Sequence, residues 1–186
     1  MNSKEVLNLL EWTGAIMKGH FKLTSGRHSD TYIEKFRLLE NPIALDKICS
    51  TMADEFNEDN IELVIGAAIG GILLAGGVGK YLNSKHIFSE RVNGEMKFRR
   101  GFQIEEGTKV LIVEDIVSTG GSIVELIDLL KEYKADIVGV ICIVNRSHKN
   151  IVFDSRFKSL LNFKDRKISD IREATVNYTS KIREII

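Results

Sequence analysis

The sequence predicts an α/β protein with a central parallel sheet flanked by helices. Three short apolar runs, 63–65, 109–113 and 137–144, are rich in valine and isoleucine and have the composition of buried strands. Two stretches that separate them, 71–82 and 123–133, have helical periodicity. Buried strands that alternate with helices are typical of a parallel sheet that is covered on both faces.

Further elements are expected before this sheet. Residues 4–17 carry apolar side chains at helical spacing, which predicts a first helix. Residues 20–36 alternate loosely around a Ser-Gly-Arg turn, which predicts a short hairpin. Asn41-Pro42 is expected to begin a second helix that runs to about Glu58, because proline in the first turn loses no helical hydrogen bond.

The composition indicates one folded domain and argues against two classes of protein. Hydrophobic residues make up 44% and charged residues 28% of the 186 positions, so disorder is not expected. Lys plus Arg and Asp plus Glu both number 26, so the formal net charge is zero. Proteins that bind nucleic acids or membrane surfaces usually carry a basic excess, so we expect neither partner. No apolar run reaches the roughly 18 residues of a membrane span and no signal peptide is apparent, which favours a cytoplasmic protein.

The most informative segment runs from Val110 to Ser122. It places two adjacent carboxylates, Glu114 and Asp115, at the end of a predicted strand, followed by a turn of hydroxyls and glycines and a helix that begins at or near Ser122. Backbone N–H groups at a helix N-terminus bind phosphate, and glycine lets the anion approach closely. The carboxylates would repel an anion, so ribose hydroxyls or Mg²⁺ are their natural partners. The alternative is an ordinary loop with a capping serine and a solvated acidic pair.

Three other segments lie at predicted strand ends or between strands. The small residues of 66–72 allow backbone amides to contact an anion, or else allow a strand and a helix to pack tightly. The stretch 86–107 carries four cations around an Asn-Gly turn and is either a basic loop that closes over a substrate or a solvated hairpin. Arg146 follows the third predicted strand, where a guanidinium suits a planar base with anionic or carbonyl groups, unless it is an ordinary surface arginine.

Together these motifs resemble the phosphoribosyl pyrophosphate (PRPP) signature of the type I phosphoribosyltransferases. Within that family the chain is similar to the orotate phosphoribosyltransferases, in their short bacterial form, over about residues 10–165. The segment 19–29 resembles the N-terminal "hood" that covers the base in that subgroup. The resemblance implies a type I phosphoribosyltransferase fold in a single domain, 1–186. Its hood would comprise about 1–40 plus the C-terminal part, and its core about 41–165.

The resemblance also implies roles for individual residues. Glu114 and Asp115 would hold the ribose hydroxyls, and the turn that follows them would cradle the 5′-phosphate. The implied PRPP-binding residues are Glu114, Asp115, Ile116, Val117, Ser118, Thr119, Gly120, Gly121, Ser122, Ile69, Gly70, Gly71 and Arg91. The implied orotate-binding residues are Ser118, Arg146 and Ser25, and the implied catalytic residues are Asp115 with Lys97, Arg99 and Arg100.

The reaction implied by the resemblance converts orotate and PRPP to orotidine 5′-monophosphate and pyrophosphate, a step of de novo pyrimidine (UMP) synthesis. Mg²⁺ is the expected cofactor, held mainly by PRPP with no direct protein ligand, and the expected assembly is a homodimer with shared active sites. Two alternatives remain open. One is a phosphoribosyltransferase for another base, and the other is a regulator that senses PRPP without catalysis.

The sequence departs from the family pattern in three places. The basic loop is rearranged, so the loop cation that acts in catalysis is Lys97, Arg99 or Arg100. Lysines that many relatives carry before the Ser-Gly turn and in the pyrophosphate loop are replaced by Thr24 and Gly70, so the charge that PRPP needs must come from elsewhere. The tail, 172–186, looks helical and has no cysteine.

Overall fold

A computed structural model describes residues 1–22, 28–147 and 151–163 and the backbone of 183–184. In chain order the elements are α1 (Ser3–Trp12), β1 (Ile16–Lys22), β2 (His28–Ile33), α2 (Lys35–Leu39), α3 (Pro42–Asp54), β3 (Leu63–Ala67), α4 (Gly70–Leu82), β4 (Lys85–Val92), β5 (Glu95–Lys97), β6 (Lys109–Val117), α5 (Gly121–Glu132), β7 (Asp136–Asn145), β8 (Arg156–Asn162) and β9 (Arg183–Glu184).

The central sheet confirms the predicted α/β architecture. Its strand order is β5-β4-β3-β6-β7-β8, and every neighbouring pair is parallel except β4 and β5. Alternate residues of β6 enter different cores. Leu111 and Val113 pack with residues of α1, α3 and α4, whereas Val110 and Ile112 pack with α5. The sheet is therefore buried on both faces, as its nearly continuous apolar strands predict.

The predicted helices before the sheet exist but end earlier than expected. The first helix ends at Trp12 rather than residue 17, and the chain then turns through Gly14, whose φ of 69° favours glycine. The second helix begins as predicted, with Asn41 as the capping residue and Pro42 in the first turn. It ends at Asp54 instead of about residue 58. Among the described helices, none is long and apolar enough to cross a membrane.

A second, smaller sheet forms at the N-terminal part of the chain, with strand order β2-β1-β9. The antiparallel pairing of β1 with β2 confirms the predicted hairpin, although its turn, 23–27, lies outside the described residues. The helix expected over 172–186 is wrong at 183–184, where β9 pairs in parallel with β1. The short helix α2 was not predicted, and it connects this sheet to α3.

Candidate active site

The acidic pair lies inside strand β6 rather than after it. The sequence predicts a strand that ends at residue 113, but β6 continues to Val117 because its last residues still pair with β7, including Glu114 with Cys142. Since side chains alternate along a strand, Glu114 and Asp115 point to opposite faces of the sheet. Asp115 is buried at 2% exposure, and Glu114 is half-buried. The strand therefore fixes both carboxylates at its carboxyl end.

Asp115 faces the side of the sheet that α4 covers. Its Oδ1 accepts a hydrogen bond of 2.6 Å from the backbone N–H of Ile116, and its Oδ2 lies 2.8 Å from Nζ of Lys35. A Cβ atom placed on Gly70 would come within 1.8 Å of the same Oδ2. Asp115, Lys35 and Gly70 thus meet at one point, where only glycine at position 70 leaves room for the carboxylate.

Glu114 carries a raised pKa. Burial is the main cause, and the neighbouring negative charge of Asp115 adds to it, so that the pKa of Glu114 rises to about 8. The backbone N–H of Asp115 donates a hydrogen bond of 2.9 Å to Oε1 of Glu114. At neutral pH the pair therefore carries less than two negative charges, and Lys35 balances the charge that remains. This reduces the repulsion that two ionised carboxylates would exert on a bound anion.

The turn after β6 forms a small cavity at the start of α5. The cavity measures about 60 Å³ and is lined by Glu114 and residues 116–123. Pockets for whole small molecules span about 300–1,000 Å³, so this one suits a single group the size of a phosphate. Gly120 has a φ of 79° and leaves α5 without a side-chain cap. The first N–H groups of α5 have no partner within the helix, and that of Gly121 makes only a long hydrogen bond of 3.5 Å to Oγ1 of Thr119. Ser118, Thr119 and Ser122, which line the same cavity, are exposed.

The loop between β3 and α4 brings backbone against backbone. A Cβ atom on Gly66 would lie 2.1 Å from the carbonyl oxygen of Gly71, so the two ends of the loop touch. The peptide bond between Ala68 and Ile69 is cis, and the backbone N–H of Ala68 donates to the carbonyl of Ser89 on β4 at 2.8 Å. Helix α4 also begins without a side-chain cap. Of the predicted PRPP residues in this loop, Gly70 lies beside Asp115, Gly71 packs against Gly66, and Ile69 is exposed.

The basic segment forms a hairpin whose cations have local acidic partners. Strands β4 and β5 pair around Asn93-Gly94. Nη2 of Arg91 lies 2.6 Å from Oε2 of Glu125 on α5, which ties the hairpin to the helix that begins at the small cavity. Nζ of Lys97 lies 2.8 Å from Oε2 of Glu95. Arg99 and Arg100 both pair with Glu90. The predicted catalytic role of Lys97, Arg99 and Arg100 stays a prediction.

Arg146 joins the two sheets. Its backbone N–H donates to the carbonyl of Val117 at 2.7 Å, which places it next to the end of β6. Its side chain is 8% exposed and donates to Oγ of Ser29 at 3.4 Å and to the carbonyl of Thr31 at 3.3 Å, both on β2. It is therefore not the surface arginine of the alternative interpretation. The third predicted orotate-binding residue, Ser25, lies outside the described residues.

One residue of the site was missed from the sequence. Lys35 lies at the end of the predicted hairpin, 20–36, and belongs to no motif, yet it contacts Asp115, 80 positions further along the chain. Local sequence carries no signal for this contact, because folding alone brings α2 to the end of β6. The one indirect signal was the lack of a lysine at positions 24 and 70, which left the source of positive charge unassigned.

Comparisons with known proteins match this arrangement. Residues 37–174 match the phosphoribosyl transferase domain family. The chain is similar to orotate phosphoribosyltransferases of Thermotoga maritima, with 46% identity over 156 residues (84% of this chain and 83% of the relative), and of Chlorobium phaeobacteroides, with 45% identity over 151 residues (81% and 78%). Its fold is similar to the crystal structure of orotate phosphoribosyltransferase from Aeropyrum pernix. That match has a TM-score of 0.70 and 21% identity and covers 93% of this chain and 99% of the other.

Proposed function

The chain belongs to the phosphoribosyltransferase family, among its orotate phosphoribosyltransferases, and from this premise we propose that it makes orotidine 5′-monophosphate. The 5-phosphoribosyl group of PRPP is transferred to orotate, and pyrophosphate is released. This is a step of pyrimidine (UMP) synthesis. The observation that carries the proposal is the acidic pair of β6 beside the uncapped start of α5, because one compact site then offers acceptors for ribose hydroxyls and donors for a phosphate.

The sugar phosphate of PRPP occupies the end of β6 in this proposal. The 5′-phosphate binds in the small cavity, where the N–H groups of α5 and the hydroxyls of Ser118, Thr119 and Ser122 surround it. The ribose hydroxyls donate to Glu114 and Asp115. Because one strand holds the carboxylates and the turn that follows it holds the phosphate site, the ribose is fixed at both ends. A fixed ribose presents C1 to the base without further loss of freedom.

The pyrophosphate of PRPP lies against the loop of Ile69, Gly70 and Gly71, where the backbone approaches Asp115 closely. Breaking the bond between C1 and pyrophosphate develops positive charge on the ribose and negative charge on the leaving group. Asp115 stabilises the first, and the cations of the β4–β5 hairpin, including Lys97, Arg99 and Arg100, are assigned to the second. No covalent bond to the protein is required.

Mg²⁺ is the proposed cofactor, held mainly by the substrate. The acidic pair fits this arrangement better than it fits direct metal binding, because Oδ2 of Asp115 contacts Lys35 and the pKa of Glu114 is raised. When it is bound with PRPP, the metal ion supplies positive charge to the pyrophosphate leaving group. The protein then contributes ribose acceptors and loop cations around that complex.

Orotate is proposed to bind between the two sheets. Arg146 is anchored to β2 and to the end of β6, and the base that attacks C1 of the ribose is assigned to the space beside its guanidinium. Its planar donors suit the carbonyl and carboxylate oxygens of orotate. Ser118 and Ser25 complete the proposed base site. Orotate N1 then attacks C1 from the face opposite to the departing pyrophosphate.

A homodimer in the cytoplasm is also proposed. Ile69 is 72% exposed and Leu73 is 46% exposed, and both lie at the start of α4 next to the site. A second copy that covered these apolar side chains would place a neighbouring subunit at the mouth of the active site. Light scattering of the purified protein measures the mass directly, and a monomer at micromolar concentration would contradict the shared-site arrangement.

A base panel tests the proposed reaction. Purified protein receives PRPP and Mg²⁺ with orotate, adenine, hypoxanthine, xanthine or uracil in turn, and consumption of the base is followed by absorbance. We expect orotate alone to be consumed, with one pyrophosphate released per orotate. Turnover of another base without orotate would favour the first alternative. PRPP binding without turnover of any base would favour the sensor. Near-normal activity of Asp115→Ala would contradict the role of the acidic pair.

A further inference from the structure

The two loops assigned to PRPP contain no lysine or arginine. Segments 66–71 and 114–122 offer backbone amides and hydroxyls but no fixed positive charge. PRPP carries several negative charges, and the buried carboxylate of Asp115 adds another at the same place. A positively charged side chain near this polyanion must therefore come from outside these two loops.

Lys35 lies at the junction of both loops. Its Nζ is 2.8 Å from Oδ2 of Asp115, whose side chain is 3% exposed, while the lysine side chain is 35% exposed. The same Oδ2 faces Gly70, the first residue of α4. The ammonium group is thus adjacent both to the ribose-binding carboxylate and to the backbone assigned to pyrophosphate, and it remains open to solvent on one side.

The residues on both sides of Lys35 are anchored to other parts of the fold. Glu34, the residue before it, donates its backbone N–H to the carbonyl of Ala15 at 2.8 Å and caps α2 through Phe36. Leu38 and Leu39 are buried, and Cδ1 of Leu39 would lie 3.5 Å from a Cβ atom on Gly70. Since the helix packs against α4, the proposal requires movement of the flexible lysine side chain alone.

We propose that Lys35 binds the pyrophosphate group of PRPP. In the free protein its ammonium balances Asp115. When the ribose hydroxyls donate to Asp115, the ammonium turns to the pyrophosphate oxygens beside Gly70 and Gly71. This proposal rests on the proposed function, because it adds a cation beside Gly70 and Gly71 to the hairpin cations already assigned to the pyrophosphate.

The test compares Lys35→Met with Lys35→Arg and with the control Lys158→Met. Lys158 also forms an ion pair, 3.1 Å from Glu55, at a surface away from the site. Calorimetry measures the affinity for pyrophosphate in MgCl₂ and for orotidine 5′-monophosphate, which carries the ribose but no pyrophosphate. Lys35→Met should weaken pyrophosphate binding by about 10- to 100-fold, and Lys35→Arg should retain most of the affinity because it keeps the charge. The control should match the wild type.

A purely structural role for Lys35 predicts a different pattern. If the lysine only holds Asp115 in place, Lys35→Met would weaken orotidine 5′-monophosphate binding and leave pyrophosphate binding unchanged, which would overturn the proposal. A double-mutant cycle with Asp115→Asn sharpens the distinction. We expect Lys35→Met to weaken pyrophosphate binding in the Asp115→Asn background as well. No added effect there would also overturn the proposal. If Lys35→Met does not fold, Lys35→Gln replaces it in both comparisons.

Failure of this proposal can be told apart from failure of the proposed function. The pyrophosphate titration needs no base and no turnover. A wild-type protein that consumes no orotate but binds pyrophosphate through Lys35 would contradict the function and keep the role of the lysine. If the wild type consumes orotate and Lys35→Met binds pyrophosphate as tightly as the wild type, the function stands and the role of the lysine is contradicted.

Discussion

The helices away from the site and the helices that begin at the site start in different ways. Side chains cap the first group: Asn2 for α1 and Asn41 for α3. The short helix α2, whose first residue Lys35 contacts Asp115, is capped by Glu34 and belongs to neither group. Helices α4 and α5, which follow strands β3 and β6, begin at Ile69 and Gly120 without a side-chain cap. Side chains therefore cap the backbone N–H groups at helix starts away from the site, whereas the two helices that begin at the site have no side-chain cap.

This difference is explained if the uncapped N–H groups bind an anion. A side-chain cap contributes about 1 kcal/mol to stability, so its absence at two helices has a cost for the folded state. An uncapped start keeps its donors and its positive end available to an anion. In the proposed complex, the phosphate groups of PRPP supply the caps that α4 and α5 lack. Substrate binding then completes the two helices that the sequence leaves incomplete.

The largest expected effect comes from adding one methyl group at the start of α4. Gly70→Ala would place Cβ 1.8 Å from Oδ2 of Asp115, so the carboxylate must move away from the ribose. We expect kcat/KM for PRPP to fall by about 100-fold or more, as when a group that stabilises the transition state is lost. Steady-state kinetics at saturating orotate measures this.

Gly76→Ala is the matched control in the same helix. A Cβ atom there would lie 3.7 Å from Nε2 of His86, an ordinary contact, so the activity should remain close to that of the wild type. The helix should also gain about 0.5–1 kcal/mol, since alanine is favoured over glycine in a helix interior. Equal activity of Gly70→Ala and Gly76→Ala would contradict the packing of Gly70 against Asp115.

Glu114 should make the wild type less stable as the pH rises. Its pKa in the folded protein is about 8, above the ordinary value of 4.5, so the folded state holds a proton that the unfolded state has released. Between these two values the free energy of unfolding therefore decreases with rising pH, by at most about 1.4 kcal/mol per pH unit.

Glu114→Gln removes this titration and should flatten the pH dependence. We expect the variant to be more stable than the wild type near pH 8. It should bind PRPP more weakly, because an amide donor replaces one of the two carboxyl oxygens that can accept from the ribose hydroxyls. Denaturant unfolding from pH 4 to pH 9 gives the comparison. Parallel curves for the two proteins across that range would show that Glu114 does not carry a raised pKa.

The smallest expected effect is at a capped helix away from the site. The side chain of Asn41 accepts hydrogen bonds from the backbone N–H groups of Ile43 at 3.1 Å and Ala44 at 3.0 Å. Asn41→Ala should lower the free energy of unfolding by about 1 kcal/mol. Because this helix start binds no substrate, kcat/KM for PRPP should not change. A loss of PRPP affinity in Asn41→Ala would weaken the distinction between the two groups of helices.

Much of the fold was predictable from the sequence because the central strands are buried on both faces. Runs such as 110–113 and 140–144 are apolar throughout, and the segment from Val110 to Ser122 combines a strand, an acidic pair and a glycine turn in local sequence. Local patterns of this kind need no tertiary information. They were sufficient to predict the parallel sheet and the acidic pair at its edge.

The rest depended on tertiary contacts. Strand β6 extends past its apolar run because β7 pairs with Glu114 and the residues after it. The two acidic residues did not indicate that the strand continues through them. Strand β4 was not predicted as part of the central sheet, because polar residues, including the buried Ser89, interrupt its apolar positions. Lys35 reaches Asp115 only through the packing of α2, and β9 is defined by its pairing with β1.

The most direct test of the open helix starts places a negative charge on one of them. Ser122 lies at the second position of α5 and lines the small cavity, so Ser122→Asp should stabilise the helix by about 0.3–1 kcal/mol and repel the 5′-phosphate. Ser122→Asn serves as the uncharged control. Calorimetric titration with PRPP and Mg²⁺ should show affinity about 100-fold weaker for Ser122→Asp than for Ser122→Asn. Equal PRPP affinity in the two variants would contradict the claim that the start of α5 is left uncapped for substrate phosphate.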